Sequence, residues 1–229
     1  MGVKTGWRFS IVPQRCPRED AVSLIVHHLN NSRSQRILWL IEEIGADFSI
    51  VHYSRDPATN LAPPELLAVH PLGKSPILDD GGRLIAESGA IVEHLCERHG
   101  GAHLVPARGS DAYISHLEWM HFAEGSVMTP ILLRIYTARL GEAAAPLEPR
   151  INQQLDSHFS FMEEHVSDDG HFVGDALSAA DIMLSFPAEI AVMQGMGARY
   201  PKLAAFVEKC HARPAWRRAR EKGGAYYGF

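Results

Sequence analysis

The sequence has little cysteine, no long apolar run and no strong excess of either charge. Three cysteines, Cys16, Cys96 and Cys210, are scattered over 229 residues without a C-x-x-C pair. An odd count at wide spacing supplies neither a disulfide framework nor a zinc knuckle. Reduced thiols in a reducing compartment are the simplest reading, which makes a cytoplasmic location the expectation. No stretch reaches the roughly 18 apolar residues of a membrane span, so no membrane partner is expected. The net charge of -5 argues against nucleic acid, since phosphate binding wants a basic surface. The first twenty residues are basic but lack the apolar centre of a secretory signal. Residues 1–20 therefore read as a loose arm.

What is present suits a globular protein. Apolar residues make up 46% of the chain, enough for a core that needs no disulfide or metal staple. Ala21–Leu29 reads as a buried strand. Arg33–Ile44 carries apolar residues at Ile37, Leu38, Leu40, Ile41 and Ile44, which is helical spacing, and Gly45 supplies a stop. Phe48–Tyr53 is a second strand. Strand, helix, strand predicts a parallel pair with a right-handed crossover.

A short helix after Pro63-Pro64 follows. Ser75–Asp79 and Arg83–Ala86 flank Asp80-Gly81-Gly82 as a hairpin, and Ser88–His99 forms a helix ended by glycines. Beyond Pro106 the pattern is helical throughout: Asp111–Leu140, Leu147–Val166, Ala179–Met193, and Pro201–Lys222 with a break at Pro214. Two domains are expected, an α/β unit over 21–101 and an all-helical unit over 110–229, joined by a Gly- and Pro-bearing linker.

Three short stretches carry candidate chemistry, each with a plainer alternative. Pro76 opens a strand. If the Ser75-Pro76 bond is cis, the backbone of Ser75 offers its N–H and C=O to a peptide-like ligand; if trans, it is an ordinary strand opener. Glu87-Ser88 stands at a helix N-terminus, a ready anion site, or Ser88 is simply a cap. Asn31-Ser32-Arg33-Ser34 follows the first strand, where ligands gather in open α/β sheets; its serines also suit capping.

In order along the chain, SRSQRILWLIEEIG, HPLGKSPIL, ESGAIVEHL, FVGDALSAADIML and RPAWRRAREKGG resemble the glutathione S-transferase family, over about residues 23–224. The resemblance implies a thioredoxin-like N-terminal domain that binds glutathione and an all-α C-terminal domain that receives an electrophilic small molecule. The N-S-R-S form is similar to the bacterial and fungal serine-type branch. It lacks the tyrosine of the mammalian classes and the cysteine of the omega- and beta-like classes.

Ser32 would then be catalytic, hydrogen-bonding the glutathione sulfur. Ser75, before Pro76, would pair by backbone with the cysteinyl part. Glu87 and Ser88 would hold the γ-glutamyl end, and Lys74 would reach the glycyl carboxylate. Arg33 occupies the position of the catalytic cysteine of other classes, leaving Ser32, or Arg33 with backbone N–H groups, to stabilise the thiolate. Conjugation, peroxide or disulfide reduction, and isomerisation share one glutathione site. A non-catalytic glutathione or hydrophobic-ligand carrier is the alternative. A homodimer is also implied.

Other features read as structural. Ser178 to Asp181 is a capping box. The tail arginines Arg213, Arg217, Arg218 and Arg220 are expected on a solvated helix face. Trp119 and Tyr136 are expected in the second-substrate pocket, because their polar tips suit a half-wet cleft. The thirteen histidines do not amount to a metal site: His94, Cys96 and His99 lie at offsets that miss a common helix face, as do His116 and His121. Cys96 is expected to pack as a small hydrophobe.

Overall fold

The computed structural model describes residues 24–224, 226 and 227. The expected arm, 1–20, and the first three residues of the expected opening strand lie outside the described residues. All strands of the described residues fall between Leu24 and Ala86. The order is β1 (Leu24–Leu29), α1 (Ser34–Ile44), β2 (Phe48–Tyr53), α2 (Glu65–Val69), β3 (Ile77–Asp80), β4 (Arg83–Ala86) and α3 (Ser88–Arg98). The sheet runs β2-β1-β3-β4. β1 pairs parallel with β2, from Leu24 opposite Phe48 to Leu29 opposite Tyr53. It pairs antiparallel with β3, and β3 with β4. This mixed sheet with a parallel βαβ half and a hairpin half is the thioredoxin-like arrangement the sequence implies.

The helical half holds α4 (Asp111–Gly125), α5 (Met128–Thr137), α6 (Glu148–His165), α7 (Ala179–Met193), α8 (Pro201–Ala212) and α9 (Pro214–Gly223). The long helix expected over 111–140 is broken in two. Gly125 and Ser126 propagate a helix poorly, and Pro130 has no N–H to donate to the carbonyl of Ser126. The N–H groups of Ser126 and Val127 both turn back to Phe122 O, at 3.1 Å each. Residues 138–144 tighten into a three-ten segment.

One apolar cluster runs through both halves, from Leu24, Val26 and Trp39 to Phe159, Ile182 and Trp216. α1 is its hub. Buried along most of its length, it packs between the sheet and the helices α7 and α9. The tail arginines are a correction: two of them bind α1 rather than face water alone. Arg218 Nε donates to Glu42 at 2.7 Å, and Arg213 pairs with Glu43, which also accepts from Trp39 Nε1 at 3.0 Å. α9 is thereby fixed along the back of the helix whose front end carries Ser32. The capping box forms as expected: Ser178 Oγ accepts from Asp181 N–H, and buried Asp181 returns bonds to the N–H of Ser178 and also of Phe172.

Candidate active site

The Ser75-Pro76 bond is cis. The ladder of β3 begins only at Ile77, so the backbone of Ser75 lies outside it. The side chain of Ser75 is engaged inward, donating to His27 O at 2.8 Å and accepting from Leu29 N–H at 3.1 Å. These two bonds lock the Ser75 turn against the end of β1, next to the Ser32 loop.

Glu87 is the residue before α3 and holds φ +70°, a backbone region where L side chains are uncommon. Its side chain is exposed, whereas Ser88 is buried. Ser88 is not the cap: no side chain caps α3, and Glu87 supplies the first helical carbonyl, accepting from Ile91 N–H at 2.9 Å.

Arg33, Lys74, Ser75, Pro76, Glu87 and Ser88 border one cavity of about 250 Å³. A second cavity of about 230 Å³ shares Arg33, Lys74 and Ser75 with it and adds Ser32. Its apolar wall comes from the helical half: Met128, Leu132, Tyr136, Phe186 and Tyr227. Two pockets meeting along one polar seam provide for a polar ligand on one side and an apolar one on the other. Tyr136 borders the second cavity. Trp119 does not: it is buried against Phe122, Phe161, His165 and Phe172 and borders neither cavity. Its place in an aromatic core cluster on α4 leaves no route to the cleft.

Around Ser32 lies a buried chain of hydrogen bonds. Ser32 Oγ is 2.7 Å from Ser34 Oγ, and Ser34 Oγ is 2.8 Å from His28 Nδ1. His28 Nε2 is 3.0 Å from Gly223 O. A carbonyl only accepts, so Nε2 carries a proton. Burial, aided by the neighbouring His52, pushes the pKa of His28 down to about 4. The ring is therefore neutral near pH 7, and Nδ1 is an acceptor. Ser34 gives its hydrogen to Nδ1 in preference to the more distant Leu29 O at 3.2 Å. Ser32 accordingly donates to Ser34, and its oxygen accepts Ser34 N–H at 3.2 Å. The direction is Ser32 to Ser34 to His28 to the end of α9.

Arg33 lies just outside this chain. Its Nε donates to Glu124 Oε2 at 2.8 Å, and buried Arg36 pairs with the other oxygen. Burial pushes the Glu124 carboxyl up, but Arg36 and Arg33 outweigh it and hold its pKa below the usual carboxylate range. Sequence reasoning missed Arg55, Phe186 and Tyr227. Arg55 clamps the loop, donating to Asn30 O at 3.2 Å and Asn31 O at 3.0 Å. Tyr227 N–H donates to Asn31 Oδ1 at 2.6 Å and brings its ring to the cavity. Nothing in their local sequence marks them; they reach the cleft from other elements through tertiary packing.

Comparison with known proteins places the chain in a family. The family described as glutathione S-transferase, N-terminal domain, matches residues 22–97, and the C-terminal domain family matches residues 125–214. Glutathione S-transferase 3 of Schizosaccharomyces pombe is 31% identical over 87% of each chain. Glutathione S-transferase 1 of Saccharomyces cerevisiae is 28% identical over 87% of this chain and 95% of its own. A glutathione S-transferase crystal structure from Actinobacillus pleuropneumoniae superimposes with a TM-score of 0.79 at 32% identity, over 90% and 94% of the two chains.

Proposed function

The chain belongs to the glutathione S-transferase family and is a glutathione transferase, and we propose that it uses Ser32 to hold glutathione as a thiolate for attack on an apolar electrophile. The observation that carries this is the pair of cavities meeting at Arg33, Lys74 and Ser75. Glutathione has an ammonium, two carboxylates, a peptide-like middle and a thiol. Exposed Glu87 suits the ammonium, and the N-terminus of α3 at Ser88 suits the adjacent carboxylate. The Ser75 backbone suits the cysteinyl amide. Lys74 and Arg33 suit the glycyl carboxylate. Laid in that order, the sulfur falls toward Ser32 and the second cavity.

Thiolate formation is a modest task. A free thiol has a pKa near 8.5, and lowering it to about 6.5 needs roughly 2.7 kcal/mol in favour of the anion. A hydrogen bond to a charged acceptor supplies about 1.5–3 kcal/mol, and the start of a helix about 0.3–1 kcal/mol more. Ser32 would turn its hydrogen from Ser34 to the sulfur. Ser34 N–H would still hold the Ser32 oxygen in place, and Ser34 would keep its own bond to His28. Arg33, already paired with Glu124, is better placed to bind a carboxylate than to supply an unshared charge to the sulfur. The apolar wall around Tyr136 and Tyr227 would orient the electrophile beside the thiolate. A homodimer, the commonest closed assembly, accompanies this reading.

Calorimetry with glutathione and with an analogue lacking the γ-glutamyl group tests the placement. Weaker binding of the analogue is expected; equal affinity would remove Glu87 and Ser88 from the site. Turnover of a panel of electrophiles, a peroxide and a mixed disulfide then distinguishes catalysis from carriage.

A further inference from the structure

β3 and α3 each begin at the candidate active site, at Ser75-Pro76 and at Glu87-Ser88. Both also end together, at the opposite side of the sheet. There, Asp80 closes β3, His94 lies in the last turns of α3, and His99 follows that helix. Asp80 Oδ2 is 2.6 Å from His94 Nε2 and 2.9 Å from His99 Nε2. The three ligand atoms all lie within 4.8 Å of one another.

An offset of five residues places two side chains on different helix faces, which is why the sequence argues against a metal here. The backbone defeats that count. His99 has left the helix, at φ -123° and ψ 26°, and its ring turns back to within 5.6 Å of the His94 ring. Cys96 takes no part; it is buried, and its thiol is pushed up to about 12 by that burial.

We propose that Asp80, His94 and His99 form a divalent zinc-class metal site, with solvent completing the coordination. Two imidazole nitrogens and one carboxylate oxygen are the donor set of a borderline cation. Around a four-coordinate zinc with bonds of 2.0–2.1 Å, neighbouring ligand atoms stand about 3.3 Å apart. The two contacts to Asp80 have to open by about 0.4–0.7 Å to reach that spacing, and the two histidine nitrogens start no more than 4.8 Å apart. The three side chains come from three backbone segments, a strand end, a helix and the turn after it, and their mutual hydrogen bonds already draw them together. All three are 14–19% exposed, which leaves one side of the triad open to a water ligand.

Binding requires each neutral ring to hold its proton on Nδ1 instead of Nε2, an exchange made through solvent with no net proton lost; the two hydrogen bonds to Asp80 then give way to three coordinate bonds. The site lies about one helix length from the glutathione cleft, some 15 Å along α3. Its effect is to clamp β3 to α3, the two elements whose opposite ends hold Ser75 and Ser88.

The test is zinc binding by the full chain, stripped with a chelator and titrated in glutathione-free buffer against a chromophoric competitor. One tight equivalent is expected. Asp80→Asn and His94→Gln should each weaken it by at least about 100-fold, the upper range for loss of an outer-shell partner. Circular dichroism checks that each variant is folded, and His99→Gln stands in for either one that is not. Cobalt in place of zinc should give the visible absorption of a low-coordinate site without a thiolate charge-transfer band. No tight equivalent, an equivalent untouched by all three substitutions, or a thiolate band would overturn the proposal.

Discussion

Arg36 Nη1 donates to the carbonyl oxygen of Met183 at 2.7 Å, filling the place that Pro187 leaves empty. In a regular helix the carbonyl of Met183 accepts the N–H four residues on, but residue 187 is proline and has none. The proline sits inside α7, and a side chain from α1 supplies the missing donor. The helix that starts beside Ser32 is joined in this way to a defect in the helical half. The same guanidinium pairs with Glu124 and lies 5.2 Å from the ring of Phe186, which lines the second cavity.

A double-mutant cycle tests this junction. Arg36→Met should cost about 2–4 kcal/mol, by leaving a buried carbonyl without a donor and removing one of the two partners of Glu124. Pro187→Ala restores a backbone N–H. Its benefit should be larger in the Arg36→Met background than in the parent, by about 1 kcal/mol or more. Urea unfolding of the four proteins measures it. Equal benefits in both backgrounds would mean that the two residues do not share the Met183 carbonyl.

The proposed role of Glu87 sets fold against function. Its φ of +70° suits glycine better than glutamate, and strain of this kind collects at ligand sites. Glu87→Gly should leave stability unchanged or raise it by up to about 1 kcal/mol. Losing a charge-assisted contact worth about 1.5–3 kcal/mol should weaken glutathione binding by roughly 10- to 100-fold. Thermal unfolding and calorimetry on one preparation test both halves. A variant that is less stable yet binds glutathione normally would show that Glu87 serves the fold.

Much of the architecture is legible in the sequence because its signals are local. Gly45 ends α1, Asp80-Gly81-Gly82 turns the hairpin, and Ser178 with Asp181 starts α7. The break in the helix over 111–140 was also written locally, in Gly125-Ser126 and Pro130, but its apolar spacing continues through the break and conceals it. The candidate site is legible where order along the chain carries it: Ser32, Ser75-Pro76 and Glu87-Ser88 border the two adjoining cavities. Trp119 was misplaced because a large aromatic with a polar tip suits a cleft and a core equally. Gly223, Arg55 and Tyr227 were invisible, since each acts on a residue far away in the chain.

The neutral His28 gives folding stability a pH dependence of definite sign. Its pKa is about 4 when folded, against about 6.5 when unfolded. Above pH 6.5 both states are neutral and the group contributes nothing. Between pH 6.5 and 4 the unfolded chain takes up a proton that the folded one refuses, so stability falls as pH falls. The full loss is about 3 kcal/mol, in order of magnitude. His28→Gln should be less stable at neutral pH, because Gly223 O and Ser34 lose a shaped partner, but should show a shallower slope across this window. Chemical unfolding at half-unit steps of pH compares the slopes; identical slopes would mean that His28 titrates normally in the folded state.

The last prediction concerns which serine acts on sulfur. Ser32→Ala should raise the pKa of bound glutathione by about one to two units, the equivalent of a bond worth about 1.5–3 kcal/mol. Conjugation at neutral pH should fall roughly ten-fold or more while glutathione affinity changes little. Ser34→Ala looks at first like a neutral control, but the structure makes it a second probe. Ser34 accepts the hydrogen of Ser32 and supplies the hydrogen to buried His28. Removing its hydroxyl leaves Nδ1 of His28 without that donor, at a cost of about 1–3 kcal/mol in stability. It also frees the hydrogen of Ser32 for the sulfur, so the thiol pKa should stay near the parent value. The two variants should thus separate: Ser32→Ala moves chemistry more than stability, and Ser34→Ala stability more than chemistry. If Ser32 merely supports the start of α1, its loss would cost about 1 kcal/mol of stability and leave the thiol pKa unmoved. Thiolate absorbance followed against pH in both variants, alongside their urea unfolding curves, decides between these outcomes. An unmoved thiol pKa in Ser32→Ala would transfer the role to Arg33 and the N–H groups at the start of α1.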